Sequence, residues 1–283
     1  MQRGIGILLL VLLGFVQPVN ASGVYTEWNS AMERKADVRV LRMGFDNLDS
    51  LPDIFDQFPN LEEVYFNNNR ITTIPPSLFR CAKLRKINFL RNRLSVLPEA
   101  IGRLRNLEEA TFSYNKIENI PDSIGYLPEL KELNLTDNRI SRVPATIGML
   151  HKLKTLRLGY NNLDSLPDEI TMLENLSYLD LGSNVLTRLP ENMGALQNLH
   201  FFYIPYNHLD YIPASLGRCK YLQELDVAYC GAFRLPYELS DIQKLELVYI
   251  DDHTVPFYQN PRFVYRQRII VVSGENNMYR PSP

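Results

Sequence analysis

Apolar residues return along this chain with a period of 23 residues, and the interval holds without insertion or deletion through most of the sequence. Each unit follows the pattern LxxLxLxxNxLxxLPxxIxxLxx, which is clearest from Leu130 to Lys152. The units, numbered here as repeats 1 to 9 and a partial repeat 10, begin at Val38, Leu61, Leu84, Leu107, Leu130, Leu153, Leu176, Leu199, Leu222 and Leu245.

The pattern predicts one short strand and one short helical turn in each repeat. Positions 4 and 6 are apolar and alternate with other residues, as on a strand that buries one face, and strands of neighbouring repeats would then stack in parallel. Position 15 is proline in all nine full repeats. Because proline fixes φ and has no N–H, the segment after it should be a short helical or 3-10 turn, buried through positions 18 and 21.

Position 9 is asparagine in seven consecutive repeats. An amide can donate to and accept from the backbone of a turn, and a residue that recurs in every turn marks a structural role rather than a catalytic one. The asparagines are Asn69, Asn92, Asn115, Asn138, Asn161, Asn184 and Asn207, and towards the ends Asp46, Cys230 and His253 take their place.

The segment from Leu97 to Ile117 follows the pattern LPxxIGxLxxLxxLxLxxNxL, with Ala110, Phe112 and Ile117 at its last three leucine positions. This pattern resembles the leucine-rich repeat family, in its 23-residue subclass with LPxxI on the convex side. The resemblance covers about residues 38 to 250 and extends to secreted bacterial members. It implies an α/β solenoid: a right-handed, curved horseshoe with a parallel β-sheet on the concave face and short helical or 3-10 turns on the convex face. It also implies ligands on the concave face, and it implies no reaction.

The two ends differ from the repeats. Arg3, the apolar run from Ile5 to Val16 and the small residues before Ser22 predict a signal peptide over residues 1–21, and therefore a secreted or periplasmic protein. A short membrane anchor is the alternative, but this apolar run is well below the roughly 20 residues of a helical span, and no span is expected after cleavage. We expect an N-terminal helical cap over 22–37, with Trp28 covering the first repeat, then nine repeats over 38–244. Residues 245–283 would form the partial tenth repeat and a C-terminal cap, with a closing strand or hairpin between Phe263 and Val272.

Composition narrows the choice of partner. The chain has 30 basic and 32 acidic residues in 283, so it lacks the broad positive field that favours nucleic acid. The four histidines share no repeat position, so no metal site or cofactor is predicted, and no catalytic motif is present. The acidic pairs Glu62-Glu63, Glu108-Glu109 and Asp251-Asp252 are interpreted as solvated surface. We therefore expect a protein that is not an enzyme.

Function is expected at the variable positions that face away from the core. Aromatic residues gather there in repeats 7 to 9, bordered by acidic residues that include Glu224, and strand stacking should bring them into one patch. The predicted ligand-binding residues are Tyr178, Asp180, Phe201, Tyr203, Tyr206, Asp226 and Tyr229. We expect truncation of Tyr203 to weaken binding while barely changing stability.

The leading hypothesis is an exported interaction module that binds a protein or peptide on its concave face. Two alternatives remain: a structural component of the envelope or cell surface, in which the aromatic residues only pack across strands, and a carbohydrate binder, since tyrosine faces also stack on sugars.

Overall fold

The computed structural model describes residues 22–254 and 268–272, and within them the 23-residue period becomes a stack of strand and turn units. Twelve strands form one open parallel sheet in which each strand pairs with its neighbours in chain order. They are β1 Val24–Tyr25, β2 Val40–Arg42, β3 Glu63–Tyr65, β4 Lys86–Asn88, β5 Glu109–Thr111, β6 Glu132–Asn134, β7 Thr155–Arg157, β8 Tyr178–Asp180, β9 Phe201–Tyr203, β10 Glu224–Asp226, β11 Leu247–Ile250 and β12 Arg268–Val271.

The register of the sheet follows the sequence period, so equivalent residues of successive repeats lie side by side. Leu133 pairs with Leu156 and Leu156 pairs with Leu179, and all three side chains are fully buried. They occupy position 4, while positions 3 and 5 of the same strands point to the opposite face, here called the sheet face. The predicted parallel solenoid is confirmed.

A 3-10 helix follows the proline of most repeats on the side away from the strands. The prolines lie just before these helices with φ near −70°, for example −67° at Pro75 and −71° at Pro144, and Pro75 O accepts the first turn bond from Leu78 N. The 3-10 helices are Phe55–Gln57, Pro76–Arg80, Glu99–Arg103, Asp122–Tyr126, Ala145–Met149, Asp168–Met172, Met193–Ala195, Ala214–Arg218 and Tyr237–Asp241.

Neighbouring 3-10 helices approach closely where position 19 is glycine. At Gly148 a Cβ atom would lie 2.6 Å from the Glu169 carbonyl oxygen and 3.0 Å from the Glu169 Cβ. A side chain there would collide with the backbone of the next repeat, so glycine is required by contact rather than by backbone conformation.

The asparagines of position 9 bond the backbone as predicted. Asn138 Nδ2 donates to Phe112 O and to Leu135 O, both at 3.0 Å, and Asn138 Oδ1 accepts from Ile117 N at 2.9 Å. Each asparagine therefore ties its own turn to the preceding repeat. Cys230 takes the same place, because its Sγ lies 2.7 Å from Ile204 O, the carbonyl equivalent to Phe112 O.

Further elements lie at both ends of the repeats. Helix α1, Trp28–Glu33, places the Trp28 ring 5.7 Å from Phe55 and 6.1 Å from Phe66 between ring centroids. At the other end β12 lies within the segment expected to supply a closing strand and pairs in parallel with β11. The predicted signal peptide and most of the expected C-terminal cap lie outside the described residues. No helix within 22–254 or 268–272 has the length and apolarity needed to cross a membrane.

Candidate ligand-binding site

Six side chains on β8, β9 and β10 form two rows across the sheet face. Tyr178, Phe201 and Glu224 are paired in register at position 3, and Asp180, Tyr203 and Asp226 are paired in register at position 5. Neighbouring strands of a sheet are about 4.8 Å apart, so each row places three different side chains within about 10 Å. We call these six residues the aromatic-acidic patch.

The rings of the patch contact one another. The Tyr178 ring centroid lies 6.2 Å from that of Phe201 and 5.4 Å from that of Tyr203, both in tilted arrangements. On the N-terminal side, the Arg157 guanidinium lies over the Tyr178 ring at 4.8 Å from its centroid. The sequence analysis did not include Arg157 in the site, although it occupies position 5 of β7 and is paired with Asp180 of β8.

Two members of the patch are more buried than the sequence suggested. Tyr203 is 7% exposed and Asp226 is 4% exposed, whereas Tyr178, Phe201 and Glu224 are half-buried. Tyr178 packs against Tyr203 from the neighbouring strand, and this contact helps to remove the Tyr203 ring from solvent. A buried ring contributes to packing, so we now expect truncation of Tyr203 to lower stability as well as to weaken binding.

Both aspartates of the patch cap the turn that follows their strand. Asp180 Oδ1 accepts from Gly182 N and Asp226 Oδ1 accepts from Ala228 N, each at 3.0 Å. Burial raises the pKa of Asp226 to about 7, against the opposing effect of the Ala228 N–H, and the Glu224 carboxylate adds to the rise. Burial also raises the pKa of Asp180, while the Gly182 N–H and the Arg157 charge act in the opposite direction.

The turn itself does not require a negative charge. Asn88 and Asn134 occupy position 5 in repeats 3 and 5, and their side-chain oxygens accept from Leu90 N and Thr136 N at 3.0 and 3.1 Å. A neutral amide therefore makes the same cap without the desolvation cost of a carboxylate. The acidic character of the patch needs another explanation.

The predicted residues Tyr206 and Tyr229 lie beyond the strands. Both have φ of 57° in the turn that follows their strand, and their rings stack with centroids 4.8 Å apart and an interplanar angle of 13°. The Tyr229 hydroxyl donates to Val272 O at 3.1 Å, next to β12. They were expected in sheet-facing positions, but the left-handed turn places them at the rim of the sheet rather than within its two rows.

Reactive groups do not gather in the described part of the chain. No set of three or more His, Cys, Asp or Glu side chains there could hold a metal ion. Cys81, Cys219 and Cys230 are buried and unpaired by disulfides. Burial raises the pKa of Cys81 and Cys219 to about 12, so neither thiol is a ready nucleophile.

Family models match the repeats directly. One described as a leucine-rich repeat region matches residues 146–254, and one described as a leucine rich repeat matches 59–117, 83–140 and 106–163. Together with the parallel sheet and its repeated turns, these matches decide the family. The chain belongs to the leucine-rich repeat family. No curated protein matches this leucine-rich repeat chain.

Solved leucine-rich repeat structures share its fold. A leucine-rich repeat protein of Leptospira interrogans is 32% identical with a TM-score of 0.76, over 82% of this chain and 59% of that one. The plant peptide hormone receptor RGFR1, solved in complex with RGF2, is 25% identical with a TM-score of 0.65, over 76% of this chain and 36% of the receptor. An internalin, InlF, of Listeria monocytogenes is 15% identical with a TM-score of 0.76, over 89% and 73%, and shows the fold alone. This chain thus spans less than two thirds of the first two proteins.

Proposed function

We propose that this leucine-rich repeat protein is an exported binding module that holds a protein or peptide on its sheet face, at the aromatic-acidic patch. The observation that carries the proposal is the patch itself: three aromatic side chains on adjacent strands, bordered by carboxylates. Rigid aromatic rings with polar neighbours are typical of the residues that dominate binding energy at interfaces. The repeat frame supplies the core separately, through positions 4 and 6.

The comparisons add support of a general kind. Leucine-rich repeat domains commonly bind proteins or peptides and typically act as non-catalytic scaffolds. RGFR1 was solved in complex with RGF2, which is an example from a relative at 25% identity. Against the structural alternative stands the desolvated carboxyl of Asp226, because packing across strands gains nothing from a buried negative charge.

Display selection tests the binding function and identifies ligand sequences in the same experiment. A library of random peptides of about twelve residues is panned over the purified chain, and the affinity of enriched peptides is measured by fluorescence anisotropy. We expect Phe201→Ala to weaken binding by on the order of 2 kcal/mol, as for an interface anchor. Tyr237→Ala is the matched control, since Tyr237 is an exposed aromatic residue in the 3-10 helix Tyr237–Asp241, away from the strands. Equal losses in the two variants, or no enriched peptide at all, would contradict the proposal.

Export has a separate test. The charged start, apolar run and small-residue site support cleavage after Ala21. The intact mass of the protein recovered from outside the cytoplasm should therefore correspond to a chain that begins at Ser22. Recovery of the protein with Met1 in place would show that residues 1–21 are not a signal peptide.

A further inference from the structure

Charge is distributed unevenly along the sheet face. At positions 3 and 5, β2 to β7 carry three basic residues, Arg42, Lys86 and Arg157, and three acidic residues, Glu63, Glu109 and Glu132. The same positions of β8 to β11 carry three acidic residues, Asp180, Glu224 and Asp226, and no lysine or arginine. The N-terminal half is balanced, and the C-terminal half is acidic.

In the N-terminal half one basic and one acidic residue of these positions form an ion pair, and a second basic residue lies over an aromatic ring. Lys86 Nζ lies 2.8 Å from Glu109 Oε1, and Arg42 lies over the Tyr65 ring at 5.0 Å. Among the described residues no ion pair involves Glu224 or Asp226. Basic residues flank the patch on both sides. Arg157 lies over Tyr178 on the N-terminal side. On the C-terminal side, the backbone of Arg268 pairs with Leu247, so Arg268 is two strands from Glu224.

The rings beside these carboxylates suit a cation. A guanidinium or ammonium group is attracted to the face of an aromatic ring, and more strongly when it is desolvated. Arg157 over Tyr178 shows that a guanidinium fits against the rings of this sheet face. Phe201 lies next to Glu224 in register, so one strand offers a ring where the next offers a carboxylate.

We propose that the aromatic-acidic patch binds a guanidinium or ammonium group of a peptide ligand, between the carboxylates of Glu224 and Asp226 and the ring of Phe201. This inference rests on the proposed function and specifies the chemistry of the ligand. It explains why a carboxylate stands at Asp226, where Asn88 and Asn134 make the same turn with a neutral side chain. A bound cation would supply the positive charge that positions 3 and 5 of β8 to β11 lack.

The test uses peptides enriched by the display selection, synthesised with acetylated N-termini. Each arginine is replaced by citrulline and each lysine by acetyl-lysine, which remove the charge of the side chain. Each peptide is then measured against the wild-type chain, Glu224→Gln and Glu132→Gln. Glu132 is the matched control because it occupies position 3 of β6 and is exposed. A version with a free N-terminus distinguishes the α-amino group from a side chain as the source of the cation.

We expect enriched peptides to contain arginine or lysine, and both citrulline and Glu224→Gln to weaken binding about tenfold or more, corresponding to about 1.4 kcal/mol. The two losses should not add, because each removes the same contact. Asp226→Asn should weaken the same peptides, and Glu132→Gln should leave them unchanged. If a free α-amino group restores the binding that citrulline removes, that group is an alternative source of the same cation.

Peptides that depend on Phe201 but bind equally well with citrulline or with Glu224→Gln would overturn this inference and keep the proposed function. Losses of equal size in Glu224→Gln and Glu132→Gln would also overturn it, because they would indicate attraction to the overall charge of the sheet face. A selection that enriches nothing would overturn both.

Discussion

Replacing Asp226 by asparagine should stabilise the protein, and more so as the pH rises. Asp226 is 4% exposed, and burial raises the pKa of its carboxyl from 3.8 to about 7. An asparagine at this position keeps the bond to Ala228 N, as Asn88 and Asn134 show in other repeats. The substitution therefore removes the cost of burying a charge and leaves the turn intact.

The sign and size of the effect follow from the pKa difference. The folded state holds the Asp226 proton more tightly than the unfolded state, so the unfolded chain releases a proton between about pH 4 and pH 7 and stability falls over that range. Each pKa unit corresponds to 1.36 kcal/mol, so a rise from 3.8 to about 7 amounts to about 4 kcal/mol. The advantage of Asp226→Asn should thus be small near pH 4 and reach about 4 kcal/mol at pH 8.

Urea unfolding of the wild type and the variant at pH 4, 6 and 8 measures this advantage. The difference in unfolding free energy between the two chains cancels the contributions of other titrating groups. One of these is Glu108, whose pKa is lowered to about 2 by Arg85 and Lys131, so its contribution changes with pH in the opposite direction. Asp180→Asn should also stabilise the protein as the pH rises, but by less, because Arg157 on the neighbouring strand opposes the rise in the pKa of Asp180. An advantage that does not change with pH, or a less stable variant at pH 8, would refute the reasoning.

Three further predictions concern stability. Asn138→Ala should lower the free energy of unfolding by on the order of 1 to 3 kcal/mol, since Ile117 N loses its partner while Phe112 O and Leu135 O keep only their bonds to Asn115 and Asn161. An unchanged urea midpoint would show that the asparagine bonds are dispensable. Gly148→Ala should cost about 1 to 3 kcal/mol through collision with Glu169, and a crystal structure of the variant with unaltered spacing between these turns would argue against that collision. Tyr203→Ala should lower the melting temperature and cost about 3 kcal/mol in urea unfolding, whereas a wild-type melting curve would mean that its ring contributes nothing to packing.

The strands and turns of this protein could be predicted from the sequence because the same residue types recur at the same positions of every repeat. Positions 4 and 6 lie on one side of a strand, and Pro144 or its equivalents end the extended segment. Even the substitution of Cys230 for asparagine follows, since its Sγ meets the carbonyl that an asparagine would bond. Because nine repeats share one pattern, the structure expected for one repeat applies to the others.

The surface was less predictable, because burial there depends on the neighbouring repeats. Tyr203 occupies a position on the sheet face, yet its ring is buried because the Tyr178 ring packs against it. Asp251, interpreted from the sequence as solvated, is buried, and its Oδ1 accepts from His253 N and Thr254 N. Glu108, interpreted in the same way, forms ion pairs with Arg85 at 2.7 Å and Lys131 at 2.6 Å. That network had a signal: position 2 alternates in sign from Arg39 to Glu108, so stacking brings opposite charges together.

The glycine contacts of the 3-10 helices have a consequence for the shape of the binding surface. In any stacked solenoid the arc is set by the small rotation between successive units, and hence by how far apart the units are on each side. Where position 19 is glycine, as at Gly194 and Gly217 behind the patch, neighbouring turns can approach and the arc opens. Where it is Thr171 or Ser240, the turns have an additional side chain to accommodate. We therefore expect substitutions at position 19, on the far side of the molecule, to change the angle between β8 and β9 and with it the spacing of the Tyr178 and Phe201 rings.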